Sequence, residues 1–345
     1  MTHLLLRADA SPTIGVGHVS RMVAFAEQAS SRGWSVTFSG TLTSAGWFAA
    51  QLDELGVGVV PPTDPGDASA LPRLASAVEA DVVLVDHYGI GEQRAAVNAE
   101  GAVLVSLESR EFGRRQADVV VESELHDLPR PEDGSPVVLR GPRYAPLREQ
   151  VRRARRRRAR RRSEAAGSGS APKVVVVLGG GAVWREEVTR TMCALRDTGM
   201  AFDAEVVAHG DPEVPETVPG QRFTVSAPDT RLPERLADAD LAVSAAGVTL
   251  LEACCIGVPT ALLLLVDNQE AGYTAAVDAG LAAGLGWASD LASPHALDGA
   301  AKALRALLAE PGRRGRMASS AASAVDGLGA ARVLDVAVEA KAAAP

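Results

Sequence analysis

Short apolar runs alternate with amphipathic stretches along most of the chain. Residues 3–8 read as a strand, a turn with Pro12 and Gly15 follows, and 19–31 repeat with a helical period. The same alternation continues with a strand at 34–39, a helix at 47–55 and a short strand at 58–60. After the break at Pro61-Pro62-Thr-Asp-Pro65 come a helix at 71–79, a strand at 82–85 and a helix at 93–100. Strands at 102–107, 119–121 and 137–139 complete the series. Strands separated by crossover helices predict a mainly parallel sheet.

The pattern restarts after a charged, Gly/Ser-rich stretch. Strands are expected at 173–178, 204–208, 221–225, 241–244 and 260–265. Helices are expected at 187–197, 232–238, 249–256, 268–279 and 295–309, with an Ala-rich helical tail from Ala321. The organisation expected is an N-terminal α/β domain over 1–150, an Arg-rich linker over 151–171, and a C-terminal α/β domain with the tail helix over 172–345.

Composition supports two ordinary cores, with 345 residues of which 47% are apolar. The apolar run before Val266 is too short to span a bilayer, and Arg7 and Asp9 interrupt the N-terminal leucines, so a cytoplasmic protein is expected. Cys193, Cys254 and Cys255 lack metal or redox spacing and read as packed hydrophobes. The net charge of −8 conceals nine arginines within residues 152–162. No aromatic or amide side chain interrupts that block, so no specific nucleic-acid role is expected of it.

Candidate chemistry lies where strands end. Gly15-Val-Gly17-His18 joins the first strand to the first helix. It lacks the third glycine of a dinucleotide fingerprint and the Lys-Ser/Thr of a P-loop. His18 at that junction suits a general base, Arg7, Asp9, Gly17 and Arg21 surround it in sequence, and Asp9 is a candidate to orient it. Asp86-His87-Tyr88 ends another strand and could bind a sugar ring or position His18. No third ligand accompanies the two histidines, so no metal is expected.

In the second half, Ser244 to Thr249 forms a small-residue turn into a helix, suited to a diphosphate. Glu252 could accept the hydroxyls of a ribose or cap its own helix. Asn268 and Gln269 open a further helix, and Gly179-Gly180-Gly181 forms another close-approach loop.

Taken in order, Arg7-Ala-Asp9, Gly15-Val-Gly-His18-Val-Ser-Arg21, Asp86-His87-Tyr88, Gly141-Pro-Arg-Tyr144-Ala-Pro-Leu-Arg148, Gly247 to Glu252 and Asn268-Gln269 resemble one family. It comprises the UDP-sugar hydrolases of pseudaminic acid synthesis and the related spore-coat polysaccharide biosynthesis proteins. The resemblance implies two Rossmann-like α/β domains in the GT-B arrangement of glycosyltransferases, in which the C-terminal helix can cross back to the first domain. It also implies a UDP-sugar substrate, UDP held mainly by the second domain, Tyr144 among the substrate-binding residues, and His18 as general base. The chain departs from the family at Leu107-Glu108, where an Asp-Asp pair is usual, and at Ala246-Gly247, where a doubled glycine is usual.

The expected reaction is therefore hydrolysis of the anomeric C–O bond, with no cofactor. The same loops would serve a glycosyltransferase, with an acceptor hydroxyl in place of water. They would also serve a UDP-sugar-binding protein without turnover.

Overall fold

A computed structural model describes residues 1–12, 14–43, 45–164, 171–179 and 184–343, apart from the side chains of 162–164. Contacts group Met1–Glu149 with the C-terminal stretch from Gly327, and Gln150–Asp326 form a second unit.

The first unit holds β1 (His3–Ala8), α1 (Gly17–Ser31), β2 (Ser35–Ser39), α2 (Gly46–Glu54), β3 (Gly58–Val60) and α3 (Ala70–Ala77). It continues with β4 (Val82–Asp86), α4 (Arg94–Ala99), β5 (Val103–Leu107), β6 (Val119–Glu122) and β7 (Val137–Arg140). The seven strands pair in the order β3-β2-β1-β4-β5-β6-β7, all parallel. Period-2 side chains divide the core between the two faces. Leu4, Leu6, Leu84 and Val105 pack with α1 residues on one, while Leu5, Val83, Val85 and Leu104 pack with α3 and α4 residues on the other.

The second unit begins with α5 (Glu149–Glu164), whose first residue belongs to the first unit. It then runs β8 (Lys173–Val177), α6 (Arg185–Arg196), β9 (Phe202–Val207), β10 (Gln221–Ser226), α7 (Leu232–Asp238), β11 (Leu241–Ala245) and α8 (Val248–Ile256). After β12 (Thr260–Leu264) come a 3-10 turn at Asp267–Gln269, α9 (Glu270–Asp278), β13 (Ala283–Trp287), α10 (Pro294–Ala309) and α11 (Pro311–Ala324). This sheet has the order β10-β9-β8-β11-β12-β13 and is again parallel.

Four features differ from the sequence expectation. The segment expected as an Arg-rich linker is largely helix, and its arginines are structural. Arg155 donates to the carbonyls of Cys255, Ala322 and Val325, and buried Arg158 donates to those of Gly257, Leu236, Ala237 and Ala239. These guanidiniums satisfy carbonyls at the ends of α7, α8 and α11, and of these the Leu236 carbonyl also accepts from the Ala239 amide. The tail is two helices, and α12 (Gly329–Ala343) belongs to the first unit rather than the second. Its Ala330, Val333, Leu334 and Ala337 complete the core beside α1. β13 carried no strand signal in the sequence, because two of its five residues are glycine. The helix expected over 268–279 starts as a 3-10 turn.

Candidate active site

In each sheet the strand order reverses beside the first strand, between β1 and β4 and between β8 and β11. Ligands of open α/β sheets bind beyond the strand carboxyl ends at such points. In the first unit His18 and Asp86 meet there.

His18 lies in the first turn of α1, 8% exposed. Gly15, at φ +79°, makes the turn that delivers it. Its Nδ1 is 2.6 Å from Asp86 Oδ1. Arg21, one helical turn on, donates to the same carboxylate through Nε at 2.6 Å and Nη2 at 3.0 Å. Burial opposes ionisation of Asp86, but Arg21 and His18 more than offset it and hold its carboxyl well below the usual range. Arg21 Nη2 also lies 3.0 Å from Nδ1. The ionised carboxylate only accepts, so the shorter 2.6 Å contact is made with the ring hydrogen on Nδ1, which leaves the lone pair of the neutral ring on Nε2. Among the described residues no hydrogen bond reaches Nε2. The Tyr88 ring stands edge-on to His18, with centroids 4.8 Å apart, and Phe112 packs on Tyr88 at 5.6 Å. Tyr88 itself is 40% exposed.

The partner of His18 is therefore Asp86 and not Asp9. Asp9 accepts from Arg7 Nη2 at 3.0 Å and from the Thr41 amide at 2.7 Å, and His87 Nε2 lies 3.0 Å from it. Burial pushes the Asp9 carboxyl up, yet these hydrogen bonds outweigh it and hold the group well below its ordinary range. The Gly89 amide donates to His87 Nδ1 at 3.0 Å, so both ring nitrogens of His87 are occupied. Arg7 is fully buried and also donates to Thr63 Oγ1 and to its carbonyl, both at 2.9 Å. This network ties together the loops that follow β1, β2, β3 and β4, with no side chain of Arg7 exposed to a ligand.

Two residues around this site, Arg115 and Arg130, carry no motif signal in the sequence. Arg115, 1% exposed, donates to the His87 carbonyl, to the Ile90 carbonyl at 3.1 Å and to Ser106 Oγ at 2.7 Å. It thereby clamps the loop that carries Tyr88 onto β5. Glu108, at the departure from the resembled family, is buried and accepts from Arg130 Nε at 2.9 Å and from the Arg115 amide at 3.1 Å. A motif search finds none of these contacts, since each partner comes from a different strand end. Tyr144 sits in a 3-10 turn after β7, three strands from β4, and packs into the core formed with α12. The structure does not bring it to His18.

In the second unit the expected nucleotide residues collect at the carboxyl ends of the adjacent strands β8, β11 and β12. Gly247 is the N-cap of α8 and has no side chain to cap it. A Cβ at Gly247 would lie 3.7 Å from Gln269 Nε2, and Gln269 Oε1 accepts from the Leu265 amide at 3.2 Å. Gln269 is thus held within the loop after β12 with its amide near Gly247, and Asn268 lies beside it in the same turn. Ser244 is fully buried, and its hydroxyl donates to the Ala245 carbonyl at 3.3 Å. Thr249 is half-buried in the first turn of α8.

Glu252 is 3% exposed and lies beyond the third helical position of α8, so a capping box with Gly247 does not form. Gly179 follows β8 with φ +103°, a conformation that favours glycine, while Gly180 lies outside the described residues. Beside Gly179 a small depression is lined by Leu178, Trp184, Arg185, Val188 and His209. Among the described residues, no cluster of His, Cys, Asp and Glu could hold a metal ion, and no helix is long and apolar enough to cross a membrane.

No protein-family model matches the chain, and no curated protein sequence matches it. Solved structures do. MurG of Acinetobacter baumannii is similar at 17% identity and a TM-score of 0.70, over 98% of this chain and 100% of that one. The calicheamicin glycosyltransferase CalG4 is similar at 18% identity and a TM-score of 0.60, over 100% of both chains. The glycosyltransferase VinC in complex with dTDP is similar at 15% identity and a TM-score of 0.64, over 99% of this chain and 100% of that one. The chain has the two Rossmann-like domains typical of the GT-B fold.

Proposed function

We propose that the chain is a nucleotide-sugar glycosyltransferase, moving a sugar from a UDP donor to an acceptor hydroxyl. The observation that carries this is the His18–Asp86 pair, at 2.6 Å, at the strand-order reversal of the first sheet. Asp86 fixes the tautomer of His18, and Arg21 fixes Asp86. In the proposed step His18 Nε2 takes the acceptor's hydroxyl proton as its oxygen bonds to the anomeric carbon. The bond from that carbon to the diphosphate oxygen breaks, and UDP leaves with the electron pair. Direct displacement inverts the anomeric centre.

Gly247, Thr249, Glu252, Asn268 and Gln269 are assigned to the nucleotide. The amides at the start of α8 would stabilise the departing charge. Arg7, Asp9 and His87 are assigned a positioning role, because their polar atoms are spent on one another. Tyr88 is assigned to the substrate, as the exposed ring beside His18.

Hydrolysis uses the same dyad with water in the acceptor's place, and the motif run shared with the UDP-sugar hydrolases favours it. Two of the three similar structures are named as glycosyltransferases, one of them with a bound nucleoside diphosphate, which favours transfer. Incubation with UDP- and dTDP-sugars, with and without an acceptor panel, separates the two. Acceptor-dependent nucleotide release with a glycosylated product supports transfer. Equal release without acceptor, with solvent oxygen in the free sugar, supports hydrolysis. No release from any donor overturns both.

A further inference from the structure

We propose that the exposed arginine face of α5 is a docking surface for an anionic lipid bilayer. The helix carries nine arginines and, as acids, only Glu149 and Glu164. Its two faces do different things. Arg155 and Arg158 turn to the protein, where carbonyls at the ends of α7, α8 and α11 occupy them. Arg153, Arg156, Arg157 and Arg160 are exposed on the other side, with Arg152 half-buried beside them. Asp238 meets Arg157 at the edge of this face.

These five stand three and four residues apart, which stacks them along one side of the helix over roughly 12 Å. The rest of the chain is acidic, since the whole carries −8 with this block included. The stripe is therefore a basic patch on an otherwise acidic chain.

The make-up of the face selects the partner. Its residues have no large apolar side chain, so it lacks the desolvated anchors of a protein interface. No aromatic ring and no exposed amide reader stands between the arginines, so it lacks the stacking groups and base readers of nucleic-acid sites. A convex stripe of guanidiniums meets a plane of phosphate headgroups by charge alone, without insertion.

The test is co-sedimentation of the full chain with phosphatidylserine–phosphatidylcholine vesicles at about 0.1 M salt, against vesicles of phosphatidylcholine alone. Arg153, Arg156 and Arg160 are replaced together by Gln, leaving Arg155 and Arg158 to hold the fold. Wild type should bind only the anionic vesicles and be released by high salt. The triple variant should bind them on the order of 100-fold more weakly, since each arginine near the surface contributes about a factor of five. Equal binding by both proteins, or no binding by the wild type, overturns the proposal. Tighter binding of wild type to a DNA or RNA duplex, lost in the same variant, overturns it too and makes the face a nucleic-acid surface. Turnover of a soluble substrate should match wild type and the variant should melt cooperatively, which separates lost docking from lost structure.

Discussion

Asp86→Asn keeps the volume of the side chain at the centre of the site and removes its charge. The carboxylate receives three donors, His18 Nδ1 and Arg21 Nε at 2.6 Å and Arg21 Nη2 at 3.0 Å. An amide cannot serve them all. With its NH2 toward His18, it donates to Nδ1 and drives the ring hydrogen to Nε2, which removes the lone pair that would take the proton. With its NH2 toward Arg21, donor faces donor. Turnover should fall on the order of 10³- to 10⁴-fold, as loss of the correct tautomer does in histidine-based sites. UDP affinity, assigned to the second unit, should stay within about twofold.

The same change has a stability cost. Removing one member of a buried ion pair costs about 3–5 kcal/mol. Arg21 keeps 19% of its side-chain surface in solvent, so the lower end, about 3 kcal/mol, applies. That lowers the melting transition of the first unit by roughly 6–12 °C. The sign with pH follows from the depressed Asp86 pKa. The stabilisation is complete above the unfolded carboxylate range and is lost as pH falls through the lower folded value. Wild type and variant should therefore differ most near neutral pH and converge in strong acid. Single-turnover kinetics, UDP calorimetry and scanning calorimetry read the three quantities. A folded D86N protein with wild-type turnover would refute the reasoning.

Glu252→Gln should weaken UDP binding by roughly 1–3 kcal/mol if its carboxylate accepts the ribose hydroxyls; unchanged calorimetric affinity in a folded variant would move that contact elsewhere. Arg158→Ala leaves the carbonyls of Gly257, Ala237 and Ala239 without their shared donor and should destabilise the second unit by about 2–4 kcal/mol in denaturant melts; a shift under about 0.5 kcal/mol contradicts that role. Burial, with Cys255 alongside, pushes the Cys254 thiol up to about 12. Native protein near pH 8 should therefore resist alkylation at Cys254 until it unfolds, and rapid native labelling seen by mass spectrometry would contradict the burial.

The strands were legible because parallel sheets covered on both faces write themselves as unbroken apolar runs, such as Leu4-Leu5-Leu6 and Val82 to Val85. The loops after β1 and β4 were legible as places for chemistry, because small and ionisable residues follow those runs at once. Which acid serves which histidine was not. Asp86 is 68 positions from His18, and the register of β1 on β4, with Ala8 opposite Asp86, brings them together. Asp9 is nearer in sequence but is drawn off by Arg7, Thr41 and His87.

β13 was hidden because glycine has no side chain to mark a buried face, and Tyr273 fills that space, its hydroxyl accepting from the Gly286 amide at 2.8 Å. The inward turn of Arg155 and Arg158 was hidden because an arginine run has no apolar period. Only the carbonyls at the ends of α7, α8 and α11 distinguish those two from their neighbours. Chain order alone groups α12 with the second unit, whereas the family resemblance implies a helix that returns to the first, as it does; its Ala-rich face would fit either sheet.

The most direct measurement is single-turnover sugar transfer by a folded His18→Asn protein at saturating UDP-sugar and acceptor. If His18 Nε2 takes the acceptor proton, the chemical step falls by roughly 100-fold or more while UDP affinity is kept. Wild-type single-turnover rates in that variant would contradict the assignment and remove the His18–Asp86 pair from the chemistry.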